Sequence, residues 1–397
     1  MNKQANVPGT ARTTDPIASA RALRPLLADA APRIEAACEL PRDVLDAMHA
    51  AGMFRLLVPR SLGGSELSPA TYVQCVEAIA SGDASVAWCM NQGSGCSMSA
   101  AYLEPAVARE VFGGERDVLA WGQGPGAKAV RAPGGWRVSG TWNFASGSRH
   151  ASWLGAHCPC FEADGTQHRL PDGKPWERTM LFRREHATIK DVWQVVGLCG
   201  TGSDTYSVTD MFVDDAHTIT RDSPAERREP GVLYRFAAMQ IYASGFACVA
   251  LGIARAVLDD FMALASAKAP ALSQTRLADN AVIQAVVGRS DARLKAARSW
   301  LINVLERTED EVRAAGELTI DQRMTIRQAA TYAIHQARDM VNEVYHEAGS
   351  TAIFDAQPFE RRFRDVNAVS QQLQGRRAHF ETVGQHLLGG APNLRWV

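Results

Sequence analysis

Apolar residues step by three or four through the first quarter of the chain. Leu23, Leu27, Ala30, Ile34 and Cys38 make one row, and Val44, Leu45 and Met48 make another. That period predicts helices. Pro41 stands where a first helical turn would begin, and Gly52 where that helix would end. "ATYVQCVEAIASGDASVAWCM" (70–90) continues the pattern. The period then changes to two. Trp136, Val138, Gly140, Trp142 and Phe144 occupy alternate positions, and "RTMLFRR", "ATIKDVWQVVG" and "TYSVTDMFV" follow between Gly and Pro residues. These predict short strands in a small antiparallel barrel or sandwich. From about residue 231 the helical period returns. Ile283, Val287, Leu294, Ala297, Leu301 and Val304 form one stripe, and Ile326, Ala330, Ala333, Ala337, Met340, Val344 and Ala348 form another, with Gly349 at its expected C-cap. Gly245 and Gly252 lie inside a third apolar helix, where small residues allow close helix contact. Long helices with wide apolar faces suggest a bundle completed by another subunit.

Composition narrows the function classes. The chain has 397 residues, 46% apolar and 21% charged, with a formal net charge of −1. Nucleic acid and anionic membranes are poor partners for such a surface. No apolar run is read as reaching the roughly 18 residues of a membrane span. Residues 1–16 lack an apolar signal core and read as a loose tail. The eight cysteines are scattered, which fits a reduced cytoplasmic protein. Cys158-Pro-Cys160 follows His157, with His168 nearby, but a second ligand pair at zinc spacing is missing. Both thiols fall on one strand face, so packing is expected there and no metal.

The stretch "GTWNFASGSRHASW" (140–153) raises a different question, because an aromatic strand runs into a tight loop of small residues. A flat ligand lying close to the backbone would need such a loop. Four other segments accompany it. "LPRDVLDAMHAAGMFRLLVPRSLGGSEL" (40–67) carries a Pro and a Gly-Gly turn, and "WGQGPGAKAV" (121–130) is rich in Gly. "VVGLCGTGSDTYSVTDMFVDD" (195–215) has a Gly-rich turn before a strand, and "FERRFRDVNAVSQQ" (359–372) contains Arg-x-x-Arg-Asp. In this order the five segments resemble the acyl-CoA dehydrogenase superfamily over nearly the whole chain. More narrowly they resemble its flavin-dependent monooxygenases, which include two-component aromatic hydroxylases and dibenzothiophene monooxygenase.

The resemblance implies an α+β fold with an N-terminal helical domain (1–118), a central antiparallel β-barrel (119–226) and a C-terminal four-helix bundle (227–397). It implies a flavin, FAD or FMN, supplied reduced by a separate reductase, and a homotetramer built as a dimer of dimers. Trp121, Gly122, Gln123 and Pro125 would contact the ring or phosphates, and Phe144, Ala145 and Ser146 would line the flavin. Ala145 matches a family hydroxyl position near the flavin N5, so that bond is absent or comes from Ser146. Gly349, Ser350 and Thr351 would approach the flavin across a dimer interface. Lys268, or its rival Arg276, would meet the phosphates. Residues 85–103 would form a wall of the substrate cavity, with Trp88 in an apolar pocket and Asn91 and Gln92 bonding a polar substituent.

Departures from the family pattern point to the chemistry. Many dehydrogenase members carry a catalytic Glu eight residues after the signature Asp. Here that position is Leu373, and no Asp or Glu lies between Val366 and Phe380. Many of the monooxygenases carry a His at a position that is Gln372 here, and Gln cannot act as a base. His150, beside the small-residue loop, is the candidate base nearest that loop in sequence. Cys199 replaces a frequent Arg. The expected activity is oxygenation of a small aromatic or heteroaromatic substrate by reduced flavin and O2. The competing readings are an FAD-dependent acyl-CoA dehydrogenase with a displaced base, and a non-catalytic scaffold on the same fold.

Overall fold

The computed structural model describes residues 15–170, 173–269, 275–394 and 397. The tail expected at 1–16 lies almost wholly outside the described residues. Helix α1 (Pro16–Ala37) starts where Asp15 accepts a hydrogen bond from Ile17 N at 3.0 Å and Pro16 supplies a helical φ. Its middle row, Leu27, Ala30 and Ile34, is buried, while Leu23 and Cys38 are partly exposed. Pro41 precedes α2 (Arg42–Ala50) as its cap, one residue earlier than expected, and Gly52 turns the chain away at φ 71°. Ser68 and Asp83 cap α3 (Pro69–Ala80) and α4 (Ala84–Ser97), and α5 (Pro105–Phe112) completes the N-terminal helices.

The strands are β1 (Leu119–Trp121), β2 (Lys128–Ala132), β3 (Gly135–Ala145), β4 (Trp153–Phe161), β5 (Glu177–Arg183), β6 (Thr188–Lys190), β7 (Asp204–Asp214) and β8 (Thr218–Ile219). Their order is β6-β7-β3-β2-β4-β5-β8, with β1 also on β4. This corrects the expected antiparallel barrel: the sheet is mixed and its path does not close. β2 and β3 form a hairpin, and β4 then returns along the far edge of β2, which makes β2–β4 parallel. β1 also pairs parallel with β4, at its start. β1 and β2 therefore share one edge of β4, and residues 122–127 leave the sheet between them. Of "ATIKDVWQVVG" only Thr188–Lys190 forms a strand.

Among the described residues five α-helices follow: α6 (Ala238–Ala267), α7 (Ala281–Ala315), α8 (Ile320–Ala348), α9 (Phe359–Gln371) and α10 (Ala378–Leu387). α6, α7, α8 and α9 pack on one another, and α6 also packs on α3 and α4. All seven residues of the expected α8 stripe are buried, and Gly349 follows at φ 63°. α6 is in fact long and apolar enough to cross a membrane, with a window of mean hydropathy 1.8, but 94% of that window is buried inside the protein. It is a core helix. The N- and C-terminal helices share one hydrophobic core, and the sheet has its own around Trp136, Trp142 and Tyr206.

Candidate active site

The excursion between β1 and β2 folds back on the end of β3. Gln123 and Asn143 exchange two main-chain hydrogen bonds of 2.8 Å. Gly122 is pressed so close that a Cβ there would sit 2.3 Å from Asn143 O and 3.3 Å from Ala145 N. Only glycine permits that approach. The alternation of β3 predicts Phe144 on the same face as Trp142, but the strand bulges after Trp142 and the register shifts. Ala145 is buried instead, while Phe144 holds a left-handed φ of 59° and is 63% exposed. Gln123, Pro125 and Gly126 are exposed beside it. A close glycine cradle with an exposed aromatic at a strained position fits a flat ring laid on the loop.

A hydrogen-bond chain ties this loop to the helices on both sides. Trp88 Nε1 on α4 donates to Ser146 Oγ at 3.0 Å, and Ser146 and Ser203 hydroxyls meet at 2.7 Å. Ser203 meets Thr201 at 2.7 Å, and Thr201 Oγ1 donates to Leu198 O at 2.9 Å. Leu198 N in turn donates to Asp365 Oδ1 of α9 at 2.6 Å. The Arg-x-x-Arg-Asp helix thus pins the 197–203 turn, and the turn pins the small-residue loop. Arg364 reinforces this through Val196 O at 2.7 Å and ion pairs with Glu35 and Glu360. Cys199 Sγ bonds Val195 O at 3.2 Å within the same turn.

Burial raises the Asp365 pKa to about 7, against the pull of the Leu198 N–H, with Asp83 raising it and Arg361 lowering it. The folded state keeps a proton that the unfolded chain releases near the usual carboxylate value. Stability from this group is therefore full below that value and falls as pH rises toward 7. Asp365→Asn keeps an acceptor for Leu198 N and removes the ionisation. Its stability relative to the parent should improve by about 2–4 kcal/mol between pH 4 and pH 7. Denaturant melts across that range check this, and parallel curves would contradict it.

The other expected site residues fall into separate groups. Trp88 meets the loop, and its ring packs on Phe246 at 4.0 Å between centroids. Asn91 turns into the helix layer: it is fully buried, accepts from Tyr72 OH at 2.8 Å and donates to Tyr242 O at 3.5 Å. These partners, not a substrate, occupy its amide, which corrects the expected role. Gln92 donates to Cys96 Sγ at 3.7 Å. His150 packs on Phe54 at 5.5 Å with Nε2 buried and unpartnered among the described residues. Burial, aided by the charges of His49 and Arg184, lowers its pKa to about 4, so at neutral pH it is a poor base. Cys158 and Cys160 are buried in the sheet core, and the rings of His157 and His168 face Thr179 and Glu162.

Lys268, Gly349 and Thr351 do come together. Lys268 Nζ donates to Thr351 Oγ1 at 2.7 Å and to Ala348 O at 3.1 Å, with Gly349 and Ser350 exposed beside them. Arg276 pairs with Asp279 instead. This cluster ends α6, about 33 Å along the helix from Phe246 at 1.5 Å per residue. One ring held by one chain cannot touch both groups. Gln372 closes α9. Its Oε1 accepts from Gln374 N at 2.7 Å, and its buried Nε2 has no partner among the described residues. The amide is fixed as a spare donor. Gln374 reaches Met239 Sδ at 2.9 Å and so sets this turn against the start of α6.

Sequence reasoning missed Ser203, Thr201, Phe246, Tyr242 and Arg221. The last lines a cleft with Gly95, Met98, Ser99, Tyr102 and Trp121. Thr201 and Ser203 lie in the Gly-rich 195–215 segment without any role marked for them there, and Phe246, Tyr242 and Arg221 sit in unremarkable segments, so only the fold reveals their places.

Residues 19–106 match the acyl-CoA dehydrogenase N-terminal domain, and residues 244–374 match the acyl-CoA dehydrogenase C-terminal domain. An indole-3-acetate monooxygenase of Pseudomonas putida is 30% identical over 89% of this chain and 88% of its own. The chain belongs to the acyl-CoA dehydrogenase family, in its flavin-dependent monooxygenase branch. The oxygenase subunit HsaA, a flavin-dependent monooxygenase of Rhodococcus jostii, is 26% identical over 87% of this chain and 91% of its own. The same fold occurs in XiaF from Streptomyces sp., solved with FADH2 and glycerol, at a TM-score of 0.87, 24% identity and 96% coverage of each chain.

Proposed function

We propose that the protein is the oxygenase component of a two-component monooxygenase acting on a small aromatic or heteroaromatic substrate. The Gly122–Asn143 cradle beside exposed Phe144 is the observation that carries this reading. The relatives named as monooxygenases support it, as does XiaF with FADH2. A reduced flavin bound there supplies two electrons, so that one atom of O2 enters the arene and the other leaves as water. The chain's own part is positioning. Gly122, Gln123 and Asn143 hold the loop at close range, and Trp88 and Ser203 fix Ser146 under it. The Trp88–Phe246–Tyr242 wall keeps water from the reacting face. Gln372 offers Nε2 as a donor where the family resemblance leads one to expect His, and takes no proton. The dehydrogenase alternative lacks its carboxylate at Leu373.

The 349–351 cluster is proposed to cover the flavin of a neighbouring subunit in a homotetramer. The span along α6 supports this, as do Ile353 and Phe354 beside it, each 62% exposed. The chain is proposed to divide at 118/119 and 226/227, near where helices give way to strands and strands to helices. Its eight unpaired cysteines support a reducing cytoplasmic setting. Reduced FMN and reduced FAD, titrated anaerobically, test the reading: at least one should bind at micromolar concentration, and a long-chain acyl-CoA should not change the spectrum of bound oxidised flavin. Bleaching by acyl-CoA would favour the dehydrogenase.

A further inference from the structure

The cleft at the end of β1 has a feature that the oxygenase reading does not use. It is lined by Gly95, Met98, Ser99, Trp121, Arg221 and Ala238, among others. Three elements meet there: α4, the C-terminal end of β1, and the first turn of α6. Arg221 lies at the junction. Its guanidinium stands 5.6 Å from the centroid of the Trp121 ring. Burial dominates the titration of Cys96 on α4, Tyr242 on α6 and His157 on β4, and the Arg221 charge is a further influence on each.

Most arginines of this protein are paired with carboxylates. Arg149 holds Asp204, Arg178 holds Glu226, Arg298 holds Glu77 and Arg364 holds Glu360. Arg221 makes no hydrogen bond or ion pair among the described residues. Asp222 follows it in sequence and lines the same cleft, but spends Oδ1 on Ala238 N at 3.1 Å, at the start of α6. The two side chains form no ion pair. A guanidinium left with open donors beside an indole ring is suited to a planar anion attached to an aromatic group.

The cleft also adjoins the proposed flavin loop. Trp121 precedes Gly122 directly. Gly95, at the cleft, lies so close to Tyr242 that a Cβ would sit 2.4 Å from that ring. Tyr242 stacks on Phe246 at 6.0 Å, Phe246 meets Trp88 at 4.0 Å, and Trp88 bonds Ser146. These packed side chains link the cleft to the small-residue loop over about 10 Å along α4.

We propose that Arg221 is a substrate-binding residue that takes a carboxylate arm on a one- or two-ring arene, while Trp121 packs on the ring. The proposal rests on the oxygenase reading for its substrate. It makes the carboxylate the determinant of orientation, and it leaves the opposite edge of the arene facing the small-residue loop. A neutral arene of the same shape leaves the guanidinium without a partner.

The test uses the full-length protein and a matched pair of probes, indole-3-acetate and indole-3-acetamide. Binding is measured by calorimetry, and turnover is measured with reduced flavin fed by a reductase. In the parent protein the acid should bind at least about 10-fold more tightly than the amide. Arg221→Gln should bring that ratio close to 1, chiefly by raising Kd and KM for the acid. Arg221→Lys should restore part of it. Equal binding of acid and amide by the parent would overturn the proposal, as would an unchanged ratio in Arg221→Gln or no binding of either probe. Preferential binding of the acid without turnover would leave Arg221 in place and count against the oxygenase reading.

Discussion

Gly122→Val should abolish flavin binding, with affinity falling by at least about 100-fold. The three atoms nearest a Cβ there cannot rotate away. A Cβ would meet Asn143 O at 2.3 Å, Asn143 C at 3.0 Å and Ala145 N at 3.3 Å, all of them main-chain atoms. Relief requires moving the 143–146 segment, which Ser146 anchors to Ser203 and Trp88. The displacement is on the order of 1 Å, enough to misplace a loop that must lie flat on a ring. Of the sheet core only Ala145 lies in that segment, while Trp136, Trp142 and Tyr206 lie outside it, so the variant should still melt cooperatively. Titration with reduced flavin beside a thermal melt separates the two effects. Parental affinity in a folded variant would place the ring elsewhere.

Gly245→Leu should be the most destabilising single change in the helical layer. A Cβ at 245 would lie 1.8 Å from Asn91 Oδ1 and 2.4 Å from its Cγ. Asn91 cannot retreat, because it is fully buried and holds Tyr72 OH at 2.8 Å. Either α4 and α6 separate or that bond breaks. Overpacking costs about 1–3 kcal/mol, and a stranded buried polar group about as much again. The expected loss is about 3–5 kcal/mol, read as a shift of the urea midpoint. Gly384→Ala is the control, since nothing lies within 4 Å of a Cβ there. It should change stability by less than about 1 kcal/mol, and in the stabilising direction. Equal midpoints for Gly245→Leu and the parent would contradict the packing described.

The helices were legible because burial on one face imposes the period of three or four, as in the α8 stripe from Ile326 to Ala348. The sheet was legible as strands but not as a topology. Nothing local in β4 marks that it will return beside β2 and not β3. Phe144 shows the limit of alternation: one bulge reverses the face of every later residue, and bulges leave no clear mark in sequence. The small-residue loop was legible as a tight turn, but the close main-chain approach is made by Gly122 from the neighbouring segment, and Ser146 serves to anchor the loop to Ser203 and Trp88. Trp88 was singled out only as a pocket wall, and its bond to Ser146 joins segments 58 residues apart in the chain. Asn91 was misjudged for the opposite reason. A polar residue on an apolar helix invites a ligand reading, yet Tyr72 on α3 and Tyr242 on α6 take up its amide. Arg221 lies in a loop without pattern, and only the fold puts its open donors at a cleft beside Trp121.

The central claim is that this chain inserts one atom of molecular oxygen into an arene at the expense of a reduced flavin. The direct measurement is turnover under ¹⁸O2 with reductase-supplied reduced flavin and an indole substrate, followed by mass spectrometry of the product. One ¹⁸O atom per product molecule, with one reduced flavin consumed per coupled turnover, is the predicted result. A product without the label, or one whose oxygen comes from water, would contradict it.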